Sequence, residues 1–316
     1  MPHRLRIPGR ATAVLMLAIL AALPGTAMAE DDACLAPGQW FMEGALTTPE
    51  TLLATAARQE VVMLGERHDE KAHHRWQLHT LAGLYAHRSD MVIGLEMLPR
   101  DVQPVLDAWV AGELSEEAFI RESNWKEVWG IDAELYLPIL HFARMQQVPL
   151  VALNIQPALR QRLAREGWQA VPSSERHAIT APEAATPAYR ERLTQIFQHH
   201  PAAENPAAEN EEEKQEGQAQ DKNEGAALES FIQAQLAWDR AMADGLATAA
   251  QNGSLAVGLM GYGHVIHGDG VPHQLQDLGI SRQMALLPLA INDCQPPDAS
   301  LADGVYVLDE AVESSD

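Results

Sequence analysis

Basic residues are scarce in this chain of 316 residues: 22 lysines and arginines stand against 44 aspartates and glutamates, a formal net charge of −22 at pH 7. A field of that sign repels a phosphate backbone, so nucleic acid is excluded as a partner. Cysteine is scarcer still, with Cys34 and Cys294 the two present. No Cys-x-x-Cys-His run exists, which rules out covalent attachment of a c-type haem. Apolar runs near membrane-span length are also missing. The longest, Ala11 to Leu23, is short of the roughly 20 residues a membrane helix needs. Glycines cluster after one apolar run, but in neither the dinucleotide nor the lysine-containing phosphate spacing, so nucleotide binding is excluded. No His-Glu-x-x-His pair occurs on one helix, so any metal site has to draw ligands from separate elements.

The first 29 residues carry a pattern of their own. Arg4, Arg6 and Arg10 precede the apolar run, and Ala27-Met28-Ala29 follows it, the order of a secretory signal. Cleavage after Ala29 is expected to leave an exported, periplasmic or secreted chain of 287 residues, its charge moving from −22 to −25 with three basic residues lost. Glu30 to Ala33 separate that cut from Cys34, so a lipid anchor is not expected. In an oxidising compartment Cys34 and Cys294, near opposite ends of the mature chain, are expected to pair. The remaining length suits one large domain, 30–316.

Apolar runs at strand length alternate with helical patterns, which predicts an α/β fold with a mostly parallel sheet flanked by helices. Thr48-Pro49-Glu50 predicts a helix start with proline at its first position. Glu60–Leu64 reads as a buried strand, Gly65 as a sharp turn at its end, and Asp69 as the cap of a helix carrying Trp76, Leu78, Leu81, Leu84 and Tyr85. Asp90–Glu96, Pro149–Leu153 and Leu255–Met260 are further strands, and Gln283–Ala290 and Val305–Leu308 the last. Asp101–Met145 is helical throughout and is expected to form a smaller helical subdomain over the crevice. Residues 201–225, rich in Glu, Gln, Asn and Ala, lack apolar anchors and are expected to form a disordered acidic insert.

The strand ends carry the chemistry. Glu66 and His68 follow the first strand, Glu96 the second, Asn154 the third, and Gly261-Tyr262-Gly263-His264 the fourth. In an open parallel sheet such positions converge on one crevice. Glu66, His68, Glu96 and His264 are a carboxylate and imidazole set suited to zinc, manganese or iron, with Arg100 placed either to steady developing negative charge or to pair with Glu96. That set describes a metal-dependent hydrolase. The alternatives are a hydrogen-bonded polar cluster, or an apolar slot under the helical subdomain holding a flat cofactor such as haem, ligated by Tyr, His or Met.

Val62 to His68, Gly94 to Met97, Tyr136 to Leu140, Asn154, Ala234 to Asp239 with Met242-Ala243, and Gly261 to His264 together resemble the ChaN-like haem-binding uptake proteins of the Tiki and TraB superfamily. The resemblance spans about residues 40 to 290. It implies an exported α/β protein of haem or iron acquisition, able to hold haem between two subunits of a homodimer and to serve haem-uptake machinery. A tyrosine ligates iron in that type, and Tyr136 and Tyr262 are the candidates here, with Asn154 and Asp239 beside them. The related Tiki branch implies metal-dependent proteolysis through His68 and His264, with Glu96 and Arg100 as further participants.

Overall fold

The computed structural model describes residues 35–199, 217–290 and 294–309, without the side chains of 217–224 and 252. The expected signal segment and Cys34 lie outside these residues. Near the start of the described residues lies a hairpin, β1 (Trp40–Met42) and β2 (Ala45–Thr47), that the strand-length pattern does not predict. Glu43 and Gly44 join the two with φ of 53° and 76°, the paired positive dihedrals that a two-residue hairpin of right-handed twist requires. Three-residue strands are too short to show an alternating pattern, which is why this hairpin was missed.

Helix α1 (Pro49–Ala56) starts as expected, with the Thr48 hydroxyl accepting from the Thr51 amide at 3.2 Å. Strand β3 (Val61–Glu66) leads to α2 (Lys71–His87), where Glu70 and not Asp69 holds the cap position and makes no side-chain cap bond. Strand β4 (Met91–Pro99) precedes a helical stretch containing α3 (Gln103–Val110), α4 (Glu116–Glu122), α5 (Trp125–Val128) and α6 (Leu137–Gln146). Then come β5 (Leu150–Asn154), α7 (Pro157–Glu166), α8 (Pro187–His199) and α9 (Gly217–Ala249). Helix α9 begins inside the stretch expected to be disordered; the remainder of that stretch, 201–216, lies outside the described residues. The chain closes with β6 (Leu255–Gly261), α10 (Val271–Asp277), β7 (Gln283–Ala290) and β8 (Gly304–Leu308).

The eight strands form one sheet in the order β2-β1-β8-β7-β3-β6-β4-β5, parallel from β8 to β5 with an antiparallel edge at β1 and β2. This is the α/β architecture expected. Period-two alternation sorts each central strand between two cores. Val62 and Leu64 of β3, with Leu255, Val257 and Leu259 of β6, face Trp109, Phe119 and Trp125 of the 101–145 segment. Val61 and Met63, with Ala256 and Met260, face Met242 and Leu246 of α9. Each such side chain contributes about 1.5–3 kcal/mol by leaving water, so the sheet position of β3 is heavily determined from both sides.

Gly65 has a different role from the one expected. It lies within β3, outside the positive-φ residues, and a Cβ there would run into Leu287 of β7. Its lack of a side chain allows close packing under the strand end, not a turn.

Candidate functional site

The ends of β3, β4 and β6 bring Glu66, Glu96 and Gly261 side by side, since β6 pairs with both other strands. Glu66 and Glu96 are buried, and each is surrounded by imidazoles. Glu66 Oε1 lies 2.9 Å from His68 Nδ1 and accepts the Tyr136 hydroxyl at 2.7 Å. Its Oε2 is 3.0 Å from His74 Nδ1, a contact without hydrogen-bond geometry. Burial pushes the Glu66 carboxyl upward, but the bonds from His68 and Tyr136 and the adjacent His74 imidazole outweigh it and hold the group below the usual carboxylate range.

The second half of the cluster is built on His264. Its Nδ1 lies 2.5 Å from Asp239 Oδ1, and its Nε2 faces Glu96 Oε1 at 3.4 Å. Asp239, on α9, also accepts the Tyr189 hydroxyl at 2.7 Å. Burial alone would discharge His264; Glu96 and Asp239 reverse that and raise its pKa to about 10. Glu96 Oε2 accepts the Gly261 amide at 2.6 Å, and the imidazoles of His264 and His68 with that amide overcome burial to keep Glu96 ionised.

His68 joins the two halves. Burial opposes its charge, Glu66 favours it, and the balance raises its pKa. With Nδ1 directed at Glu66, the ring lies so close to Gly261 that a Cβ there would stand 2.8 Å from Cε1 and 3.1 Å from Nε2. Gly261 is therefore required as glycine for the space it leaves. Glu66, His68, Tyr262 and His264 line one cavity of about 250 Å³ together with Gln235 of α9, and Leu193, Ile196 and Phe231 form its apolar flank. The cavity thus lies beneath α8 and α9, not beneath the 101–145 segment where an apolar slot was expected.

Other expected site residues are placed differently. Arg100 does not meet Glu96: its guanidinium donates to the backbone carbonyls of His177, at 3.0 Å, and Ala241, at 2.5 Å. Closeness in sequence misled because the strand continues to Pro99 and carries Arg100 past the carboxylate. Tyr136 is buried behind Glu66 and does not line the cavity, whereas Tyr262 does, its hydroxyl donating to the Pro288 carbonyl. Asn154 fastens strand ends, donating to the Glu96 carbonyl at 2.6 Å and accepting the Ile155 amide at 2.7 Å.

The four proposed metal ligands come together without forming a ligand set. Among the described residues no group of three or more histidines, cysteines or carboxylates is arranged to hold a metal ion. The reason is local: Nδ1 of His68 faces Glu66, both His264 nitrogens face carboxylates, and one Glu96 oxygen is bonded to an amide. The groups are turned toward one another and not toward a shared point.

His74 is the participant the sequence reading missed. Its Nε2 donates to the His68 carbonyl at 3.0 Å and its Nδ1 faces Glu66 and Gln77. The available signal was its position, since 74, 77, 81 and 84 share the buried face of α2. His73 is satisfied differently, accepting the Arg67 amide at 3.0 Å, and burial pushes its pKa down to about 4.

Residues 52–275 match the family described as haem-binding uptake, Tiki superfamily, ChaN. Among solved structures, one described as cofacial heme binding to ChaN of Campylobacter jejuni is 18% identical, with a TM-score of 0.65 over 86% of this chain and 97% of that one. The type III effector HopBA1 is 14% identical over 82% of this chain and 92% of its own, TM-score 0.43. A mutant of the erythromycin esterase EreC in its open conformation is 13% identical over 79% and 76%, TM-score 0.43. No curated protein matches.

Proposed function

Since the chain belongs to the ChaN family of haem-binding uptake proteins in the Tiki superfamily, we propose that it binds haem at the cavity bounded by His68, Tyr262 and His264. One observation carries this reading: His68 has one nitrogen tied to a buried carboxylate, and the other beside the open Cα of Gly261 in the cavity wall. A carboxylate on the far nitrogen orients an imidazole and raises its basicity as a ligand. The cavity's composition also fits, with imidazole and phenol donors on one side and Leu193, Ile196 and Phe231 against the faces of a flat apolar ring.

Haem, when bound, supplies an iron in need of an axial donor and two carboxylate arms. Of the two tyrosines that the family resemblance nominates, Tyr262 is the one within reach. To act as a ligand it has to release the Pro288 carbonyl and lose a proton from a hydroxyl whose pKa burial raises. His68 sheds its proton far more readily, because even a raised imidazole pKa starts from 6.5. His264, gripped at both nitrogens, positions the wall and does not ligate.

Titration of the purified protein with haemin, followed by absorbance, is the test. Saturable binding with a shifted Soret band is expected, weakened strongly by His68→Ala and weakly by Tyr262→Phe. The reverse order of effects assigns the iron to Tyr262; absence of saturable binding overturns the reading. We also infer export by the signal-like first 29 residues and a role in haem or iron uptake, with the protein as a homodimer feeding haem-uptake machinery. The family's description as haem-binding uptake proteins supports the uptake role. Cell fractionation and light scattering with and without haemin test it.

A further inference from the structure

A second, smaller cavity of about 100 Å³ adjoins the cluster and has no part in the reading above. Pro99, Trp129, Asn154, Ile155, Pro157 and Arg160 line it. Two ring contacts tie it to the site. Trp129 meets the His68 ring at 4.6 Å between centroids, and Arg160 lies 4.5 Å over Trp238, which meets His264 at 4.7 Å. The small cavity is therefore one aromatic layer removed from both imidazoles that face the larger one.

Arg160 differs from the other half-buried arginines, whose guanidiniums reach a carboxylate or a backbone carbonyl: Arg100 donates to the His177 and Ala241 carbonyls, and Arg176, likewise stacked on a tryptophan, to the Val171 carbonyl. Arg162, on the same helix, pairs with Glu166 and Glu175; Arg240 pairs with Asp277, and Arg192 with Asp269. Among the described residues Arg160 has its stacking contact on Trp238 and no ion pair. A half-buried guanidinium whose donors reach neither a carboxylate nor a backbone carbonyl is unusual, because a partly desolvated cation is costly unless its donors are satisfied. Stacking uses the face of the guanidinium and leaves its edge donors, whose fork matches a carboxylate. The cavity also receives the start of α7, which has no side-chain cap and so adds to the positive potential. Asn154 contributes rigidity, not a free donor, since both ends of its amide are bonded. Pro99 and Ile155 give apolar walls suited to a short methylene arm.

We propose that this cavity is a carboxylate pocket in which Arg160, held flat on Trp238, takes the propionate-type arm of the ligand bound against His68. The proposal rests on the haem reading for the identity of that ligand, and its chemistry is separable from it. The pocket selects an acid over its ester.

Haemin and haemin dimethyl ester are titrated into the wild type, Arg160→Ala and Arg160→Lys, with thermal melts to establish folding. The wild type is expected to prefer the diacid by roughly 10- to 100-fold, the range of a charge-assisted hydrogen bond. Arg160→Ala should reduce that preference to about threefold or less, and Arg160→Lys should restore part of it, since a lysine keeps the charge and loses the fork. Separately, sodium propionate is titrated into arginine-labelled wild type while the Arg160 Nε–H resonance, assigned with the lysine variant, is followed. A saturable shift supports the pocket even if haemin itself fails to bind, in which case only the haem reading falls. An acid-over-ester preference unchanged in Arg160→Ala, or an Arg160 resonance that propionate does not move, overturns the proposal.

Discussion

His264 Nδ1 and Asp239 Oδ1 are 2.5 Å apart, and the imidazole's other nitrogen faces Glu96, so a single histidine is held between two buried carboxylates from α9 and β4. The pair ties the longest helix to the middle of the sheet. It also makes the region's stability a function of pH.

The His264 pKa is about 10 in the folded chain against an ordinary 6.5. Its stabilisation is therefore complete below the lower value and is lost as pH rises through the higher one. Glu66 and Glu96 have lowered pKa values and act oppositely, their contribution present above 4.5 and lost as pH falls through their folded values. Urea denaturation across pH should show a plateau with an acid limb and an alkaline limb. His264→Gln should flatten the alkaline limb while leaving the acid limb, and an identical alkaline decline in both proteins would disprove the assignment.

Removing Asp239 leaves a buried imidazolium short of one counter-charge. Asp239→Ala is expected to cost about 3–5 kcal/mol, the range for breaking a buried pair. Tyr189→Phe, which removes one bond to Asp239, should cost about 1 kcal/mol. The Asp239→Ala, His264→Ala double variant should be less destabilised than the sum of its singles. Additivity in that cycle would show that the two do not act as a pair.

Gly261 and Gly263 provide a matched comparison in the same turn. A Cβ at 261 presses on His68, whereas a Cβ at 263 has no neighbour within 4 Å. Gly261→Ala should weaken haemin binding at least tenfold, about 1.4 kcal/mol, with a melting point near wild type, and Gly263→Ala should change neither. Equal effects at the two positions would refute the steric argument for Gly261.

The expected Cys34 to Cys294 bond is accessible to peptide mapping of unreduced protein purified without reductant. A linked peptide pair is expected, and its loss in Cys34→Ser should lower stability by roughly 2–4 kcal/mol. Recovery of both cysteines alkylated without reduction would rule the bond out.

The strand-end logic found Glu66, His68, Glu96 and His264, because an unbroken apolar run marks a buried strand and the next polar residue marks its mouth. It did not reveal how these groups satisfy each other, which depends on angles that sequence spacing does not encode. Arg100 shows the limit: four residues from Glu96, it is carried to the carbonyls of His177 and Ala241. His74 was legible from helix periodicity and was passed over because one histidine among several on α2 carries no distinguishing signal. Arg160 had none at all, since its meaning comes from an indole 78 positions away. The β1–β2 hairpin escaped because Glu43-Gly44 is a turn signal without strand-length neighbours.

Strand β3 lies between β7 and β6, both encoded after residue 254, so the most central strand is synthesised early and gains its hydrogen-bonding neighbours last. Helices α1 and α2 and the β4–β5 pair are all complete before that point. A chain interrupted ahead of Leu255 therefore keeps both edges of Val61–Leu64 open, the arrangement most prone to strand addition between molecules. Premature termination or slow synthesis of the last fifth should yield insoluble protein, not a weakened fold, and whatever holds the nascent chain has to shield that strand until the end arrives.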